Sequence, residues 1–145
     1  MGLLRNLWGG MTGNWATLRL SVPPLIDRGI EIPIEVEIEV RDSDLQVSSV
    51  YLRWRLVERG EVSCSGKDCS GGTESSTVRE ERVILHHAGD FSARSRSVAS
   101  GMLLIPDSLP SSFRGRICQV NYEALAALEM SGNDPDSGWK PLQVR

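Results

Sequence analysis

The 145-residue sequence lacks the features of membrane-spanning and exported proteins. No apolar run approaches the roughly 20 residues that a membrane-spanning helix needs. The N-terminus lacks the charged, apolar and small-residue regions of a signal peptide. Three cysteines, an odd number in a chain without an export signal, indicate reduced thiols. A cytoplasmic location is therefore expected.

The sequence also lacks an excess of positive charge and the short motifs of catalysis. Nineteen acidic residues against 16 Lys and Arg give a net charge of -3 at pH 7. This balance argues against general nucleic-acid binding, which needs a basic surface. The patterns G-x-S-x-G, Walker A and G-x-G-x-x-G after a strand are all missing. We therefore expect no enzyme activity and no cofactor.

By contrast, the sequence contains long stretches in which apolar and polar residues alternate with a period of two. From Ile30 to Val40 every even-numbered residue is Ile or Val, and the residues between are Glu or Pro. This period sorts side chains onto one buried and one wet face of a strand. The alternation resumes after the polar turn Asp42-Ser43-Asp44. The apolar side chains of that second run are Val50, Leu52, Trp54 and Leu56.

We interpret Ile30 to Leu56 as one β-hairpin folded at that turn, with both faces chemically matched. The expected core pairs are Ile38–Val50, Val36–Leu52 and Ile34–Trp54. The expected pairs of the wet face are Glu35–Arg53 and Glu37–Tyr51. The glutamates at 31, 35, 37 and 39 are then interpreted as an ion ladder facing Arg53 and Arg55, with each pair worth at most about 1 kcal/mol.

Further alternation predicts strands on both sides of this hairpin: Trp15–Ser21, Val78–Leu85, Phe91–Ile105, Arg116–Met130 and Trp139–Arg145. The Gly-, Ser- and Thr-rich stretch 57–77 predicts a surface loop, flexible near 59–77. Strands follow strands without alternating helices, which excludes a parallel α/β sheet. Residues 15–145 are therefore expected to form one immunoglobulin-like antiparallel β-sandwich of about seven or eight strands.

Residues 1–14 are interpreted as a short apolar, helical segment ahead of the sandwich. Its apolar side chains recur at helical spacing: Leu3, Leu4, Leu7, Trp8 and Met11. Gly9-Gly10 ends this helix after about two turns, and so short a helix is marginal unless it docks. Three docking sites stay open: the end of its own core, a partner protein, or a membrane surface. Arg5, its one cation, is a poor membrane anchor.

The histidines and cysteines are the candidate metal ligands. His86 and His87 are adjacent, so on a strand one ring would be buried and the other exposed. Cys64 and Cys69 enclose four residues of the polar loop. They could be free thiols, a loop disulfide, or part of a zinc site completed by Cys118 and the histidines. We favour free thiols and predict no metal.

Six arginines could form a basic surface for acidic or phosphorylated groups if their strands adjoin. They are Arg79, Arg82, Arg94, Arg96, Arg114 and Arg116.

The stretch from Leu104-Ile105-Pro106 to Tyr122 resembles the arrestin superfamily. In that family a strand ends in Pro, a Leu-Pro-x-Ser turn follows, and a Gly leads into a strand carrying V-x-Y. The matching positions are Pro106, Leu109, Pro110, Ser112, Phe113, Gly115, Val120 and Tyr122. The resemblance covers most of residues 15–145 and implies a single arrestin-type sandwich. The N-terminal apolar stripe is loosely similar to the start of bacterial sporulation-control arrestin-like proteins.

From these observations we expect a non-catalytic protein-interaction module: an adaptor, scaffold or accessory subunit of a larger assembly. It would bind through sheet edges, whose backbone groups are unpaired, and through the apolar N-terminal segment. A protein partner is expected, and a homo-oligomer is compatible with this reading. The alternatives are a metal-dependent hydrolase and a β-sandwich that binds a small ligand near Trp54.

Overall fold

The computed structural model describes residues 15–62, 66–67 and 71–145, and within them it contains ten strands and no helix. The strands are β1 (Ala16–Ser21), β2 (Ile32–Val40), β3 (Leu45–Val47), β4 (Ser49–Val62), β5 (Gly72–His86), β6 (Gly89–Phe91), β7 (Arg96–Leu103), β8 (Phe113–Arg114), β9 (Cys118–Glu129) and β10 (Lys140–Leu142). None of the described residues belongs to a helix that could cross a membrane. The predicted helical segment 1–14 lies outside the described residues.

Two main sheets build the molecule, and all their pairings are antiparallel. One sheet has three strands in the order β1-β2-β7. The other has the order β10-β9-β4-β5, with β8 also paired to β9. Apolar side chains of both sheets form one buried cluster, in which Val36, Ile38, Leu52 and Trp54 are completely buried. The predicted all-β antiparallel sandwich is confirmed.

The predicted hairpin from Ile30 to Leu56 is wrong, because its two strands lie in different sheets. β2 pairs with β1 and β7, whereas β4 pairs with β5 and β9. Val36 and Leu52, predicted as neighbours within one sheet, instead contribute to the same core from opposite sheets. A period of two identifies the buried face of a strand, but it leaves the hydrogen-bonded neighbour open. Ile30 precedes β2 and is 55% exposed.

The predicted ion ladder between the β2 glutamates and Arg53 and Arg55 is wrong for the same reason. Arg53 and Arg55, and Glu37 and Glu39 of β2, find their ion-pair partners on strands of their own sheets. The pairs are Arg19–Glu37, Arg96–Glu39, Arg53–Glu80 and Arg55–Glu123.

The loop predicted at 57–77 is much shorter than expected. β4 continues to Val62 and β5 begins at Gly72, and the two strands pair along this whole length. Residues 71–80 are all exposed, which explains why their composition resembles that of a loop. Backbone pairing needs no apolar side chain, so composition alone did not reveal the strand.

The segment Arg116–Met130 is a strand, as predicted, despite the helix propensity of its Ala, Leu and Glu residues. Tyr122, Ala124, Ala126 and Leu128 face the core. The burial of this face outweighs intrinsic propensity, which is a weak determinant in a sheet.

Three of the residues that resemble the arrestin superfamily, Pro110, Ser112 and Tyr122, form hydrogen bonds that hold the C-terminal end of the chain in place. The Tyr122 hydroxyl donates to the Pro110 carbonyl. The Ser112 N–H donates to the Val144 carbonyl at 2.8 Å, and the Val144 N–H donates to the Ser112 hydroxyl at 2.9 Å. Val144 also forms a parallel bridge with Ile26. These signature residues therefore hold the fold together, and their contacts point to no ligand.

Candidate functional site: the open edge of the three-stranded sheet

The sequence-predicted binding residues of the N-terminal segment lie outside the described residues: Leu3, Leu4, Leu7, Trp8 and Met11. Any site built from the described residues must therefore come from the sandwich itself.

The candidate metal ligands do not assemble in the described ranges. His86 and His87 are both exposed, because β5 ends at His86, so the prediction of one buried ring is wrong. Cys118 is an exposed free thiol, and Cys64 and Cys69 fall outside the description. Across residues 15–62, 66–67 and 71–145, no three His, Cys, Asp or Glu side chains could hold a metal ion. A metal-dependent hydrolase therefore has no ligand set in this part of the chain.

The six candidate arginines do not form one basic surface. Three are neutralised by glutamates, in the pairs Arg79–Glu81, Arg82–Glu129 and Arg96–Glu39. Arg114 lies opposite Gln119, near the start of β9. It is therefore far from Arg82, which is paired with Glu129 at the end of the same strand. The six positive charges are thus separated, and those of Arg79, Arg82 and Arg96 are compensated by glutamates.

Backbone hydrogen bonds show to which neighbouring strand each residue of the three-stranded sheet directs its N–H and C=O groups. The Arg41 N–H donates to the Trp15 carbonyl, and the Val40 N–H donates to the Ser95 carbonyl. Because hydrogen-bonded and non-bonded pairs alternate along antiparallel strands, odd residues of β2 direct their backbone groups to β1 and even residues to β7. The missing N–H of Pro33 therefore faces the β1 side. β1 ends opposite Glu35, so no bond is lost there.

The same alternation defines the free edge of β7, the edge that does not contact β2. Ser97, Ala99, Gly101 and Leu103 direct their backbone groups toward β2. The backbone N–H and C=O groups of the intervening residues point to the free edge: Arg96, Val98, Ser100 and Met102. No strand in the described part of the chain pairs with this edge.

The opposite edge of this sheet, on β1, is guarded by a side chain. Its even residues direct their backbone groups outward, and the Lys140 ammonium donates to the Leu20 carbonyl at 3.1 Å. Pro23-Pro24 follows β1 after one residue, Val22, and prevents the ladder from being extended. A further strand would have to displace this lysine and stop short of the prolines.

The two edges of the five-stranded sheet are guarded as well. β10 is only three residues long and has Pro141 at its centre. β5 carries four consecutive charged residues, Arg79 to Arg82, and its pairing with β4 is interrupted by two register shifts. Short strands, proline, charge and bulges are the devices by which natural sheets avoid edge-to-edge pairing.

β7 has none of these guards from Ser97 onward. The stretch 97–105 contains no charge and no proline, and its pairing with β2 is regular. Val98 and Met102 point away from the core and are 62% and 51% exposed, and Leu104 just beyond the strand is 45% exposed. A surface cleft of about 370 Å³ lies beside Val98, between β6 and β7. β7 is thus the open, apolar edge of the two main sheets.

A second surface feature, on the outer face of the five-stranded sheet, was missed by the sequence analysis. Tyr51, Leu125 and Ala127 are buried there beneath Trp139. The Arg55 guanidinium lies 3.9 Å from the Trp139 ring centre, on the same face. Leu125 and Ala127 lie between core residues of β9, so the apolar run 124–128 was the available signal that both faces of this strand are covered.

Tyr51 is the anchor of this covered face. Its hydroxyl donates to Asp134 Oδ2 at 2.9 Å, and the Arg82 guanidinium lies 3.7 Å from the centre of its ring. Burial, followed by the hydrogen bond to the Asp134 carboxylate, raises the pKa of Tyr51 to about 12. A tyrosine held neutral in this way is not activated as a base or nucleophile, so the feature acts in packing.

The fold is that of the arrestin-like β-sandwiches. Spo0M, a sporulation control protein from Bacillus subtilis, has a similar structure, with a TM-score of 0.66 over 90% of this chain and 14% sequence identity. The chain spans about half of Spo0M, 49% of its length. No protein-family model matches the sequence, and no curated protein matches it either. The likeness therefore concerns the fold.

Proposed function

We propose that this chain is a non-catalytic protein-interaction module of the cytoplasm that binds an extended polypeptide segment along β7. It would act as an adaptor, scaffold or accessory subunit of a larger assembly. One observation carries the proposal: of the four edges of the two main sheets, β7 alone among the described strands combines unpaired backbone groups with a surface that is apolar and, from Ser97 onward, uncharged.

The chemistry of such binding is strand addition. Backbone groups of Val98, Ser100 and Met102 would exchange hydrogen bonds with the added strand, giving affinity without sequence specificity. Specificity would come from alternate side chains, which contact Val98 and Met102 on the outer face. The cleft beside Val98 offers space for one apolar side chain of the added segment.

Capture from cells of the native host by the full-length chain tests this proposal. Val98→Lys adds a charge to the open edge, at an exposed side chain whose loss leaves the core intact. Val78→Lys makes the same change at a valine of similar exposure, 52%, on the guarded edge of β5. We expect a partner to be captured by the wild type and by Val78→Lys but lost with Val98→Lys.

Hydrogen exchange of the reconstituted complex then locates the contact. In the protein diluted to a single chain, the amides of Val98, Ser100 and Met102 should exchange faster than those of Ala99 and Leu103, which are bonded to β2. Partner binding should slow exchange of the first set. A partner captured equally well by all three proteins, or exchange unchanged at these amides, would overturn β7 as the binding edge.

The N-terminal apolar segment is proposed as a second contact with the partner. Deletion of residues 1–14 is expected to weaken capture while the circular dichroism spectrum and the unfolding midpoint stay unchanged. Loss of the folded state on deletion would instead show that the segment covers its own core.

A further inference from the structure

We infer that the strand which pairs with β7 is β7 of a second copy of this chain, so that two three-stranded sheets join into one continuous sheet. This inference rests on the proposed function of the β7 edge and names its partner. The resulting dimer would have two-fold symmetry, in which one surface patch contacts its own copy.

The sequence of β7 is self-complementary about Ser100. Outward-facing Val98 and Met102 lie two residues before and after Ser100, and inward-facing Ala99 and Gly101 lie one residue before and after it. Antiparallel pairing centred on Ser100 therefore sets Val98 of each copy opposite Met102 of the other. Directly opposed apolar pairs of this kind stabilise antiparallel sheets.

The backbone supports the same register. The N–H and C=O groups of Val98, Ser100 and Met102 all point to the free edge, since the intervening residues are bonded to β2. In a pairing centred on Ser100, every opposed pair of these residues exchanges hydrogen bonds in both directions. No residue between Arg96 and Ile105 is proline, so no donor is missing from the joint ladder.

The other registers are chemically poorer. Centring the pairing on Ala99 sets Val98 opposite Ser100 and Met102 opposite Arg96, and centring it on Gly101 sets Met102 opposite Ser100 and Arg96 opposite Pro106. The next two registers, one on either side, are poorer as well. Centring the pairing on Val98 would set Met102 opposite Arg94, and centring it on Met102 would set Val98 opposite Pro106. A charged partner in the first case and a residue without an N–H in the second weaken the joint ladder. The Ser100 register, which alone pairs Val98 with Met102, is therefore favoured among these five.

Charge is also complementary across this dimer. Arg96 is the one charged residue of β7, and the register places it opposite Leu104 of the other copy, away from the second Arg96. Continuing the β2–β7 ladder by one residue places Glu31 beside Leu104. Arg96 and Glu31 of different copies then share one row of the sheet, two strands or about 10 Å apart at the backbone. Arg96 is already paired with Glu39 of its own copy at 3.3 Å, on the β2 side. The arginine therefore has an acidic residue of the same row on each side, and no second arginine faces it.

Sedimentation equilibrium of the purified full-length chain tests the dimer. We expect a mass near twice 16.0 kDa at high concentration and a return to one chain on dilution. Val98→Lys should raise the dissociation constant of the dimer more than about tenfold, because a symmetric interface contains each change twice. Val78→Lys should dissociate as the wild type does.

Cysteine cross-linking tests the register independently. In a background with Cys64, Cys69 and Cys118 changed to Ser, Ser100→Cys places two thiols opposite each other, about 5.5 Å apart at Cα, which a disulfide can span. We expect oxidation to give a covalent dimer. Ser76→Cys, on the exposed part of β5, should stay a single chain.

The outcomes separate the two proposals. A chain that stays single at every concentration, or a dimer that survives Val98→Lys and is not trapped by Ser100→Cys, overturns this inference. If such a chain still captures a partner that Val98→Lys loses, the function proposed for β7 stands with another occupant. If Val98→Lys still forms the dimer and still captures the partner, both proposals fail.

Discussion

The two main sheets bury similar inner faces but have very different outer faces. On the three-stranded sheet, the outer face of β2 carries Glu35, Glu37 and Glu39 and stays open to water. On the five-stranded sheet, the outer face buries Tyr51 and Leu125 beneath residues 134–139. Both β2 and β4 show the same alternation in sequence. A period of two therefore defines two faces of a strand without saying how many of them will be covered.

The cover on the five-stranded sheet is formed by residues 134–139, here called the return segment, and polar contacts of Asp134 and Ser137 fix it in place. Asp134 accepts hydrogen bonds from the Tyr51 hydroxyl and from the Met130 N–H. The Ser137 N–H donates to the Ala126 carbonyl at 2.8 Å. The three-stranded sheet has no counterpart to this segment in the described part of the chain, so its outer face and β7 stay accessible.

The largest difference between the two outer faces should appear on truncation of a large apolar side chain. Leu125→Ala is expected to lower the free energy of unfolding by about 2–3 kcal/mol, because it empties space beneath Trp139. Met102→Ala, on the open face, should cost less than about 0.5 kcal/mol in dilute protein. Urea unfolding measures both. Equal losses would mean that the return segment does not cover the face in solution.

A smaller effect is expected from the anchor hydroxyl. Tyr51→Phe removes the hydrogen bond to Asp134 and should cost about 1 kcal/mol at neutral pH. Because the pKa of Tyr51 is raised to about 12 in the folded state, the native protein holds this proton more tightly than the unfolded chain. The stability that the neutral Tyr51 hydroxyl contributes is complete below pH 10 and is lost as the pH rises toward 12. The wild type should therefore lose more stability than Tyr51→Phe over that range, and parallel pH profiles would contradict the assignment.

The smallest effect should come from the ion pairs of the open face. Glu37→Gln breaks an exposed pair with Arg19, whose closest N–O distance is 3.8 Å, and should change the unfolding free energy by less than about 0.5 kcal/mol. Glu123→Gln is the matched change on the covered face, where Arg55 is half-buried against Trp139. We expect Glu123→Gln to lower the free energy of unfolding more than Glu37→Gln does. Equal losses of the two variants in urea unfolding would contradict the difference between the two faces.

The sequence was informative wherever a residue's environment follows from its near neighbours. It predicted the core faces of β2 and β4 and the strand nature of β9 despite its helix-forming residues. It found the second half of β5, Val78–Leu85, but failed for the first half, because Thr73 and Ser75 lie in a strand without apolar neighbours. It also failed for the open edge, since Val98 and Met102 are ordinary strand residues in sequence and become distinctive only where no neighbour covers them.

By itself, the sequence determined that this is a layered β protein and which side chains enter its core. Alternation is a local property, and each strand expresses it wherever it is placed. The tertiary structure alone decided that β2 and β4 face each other across the core, that the return segment covers one outer face, and that β7 has an open edge. These outcomes depend on contacts between residues far apart in the chain, whose competing pairings have nearly the same local chemistry.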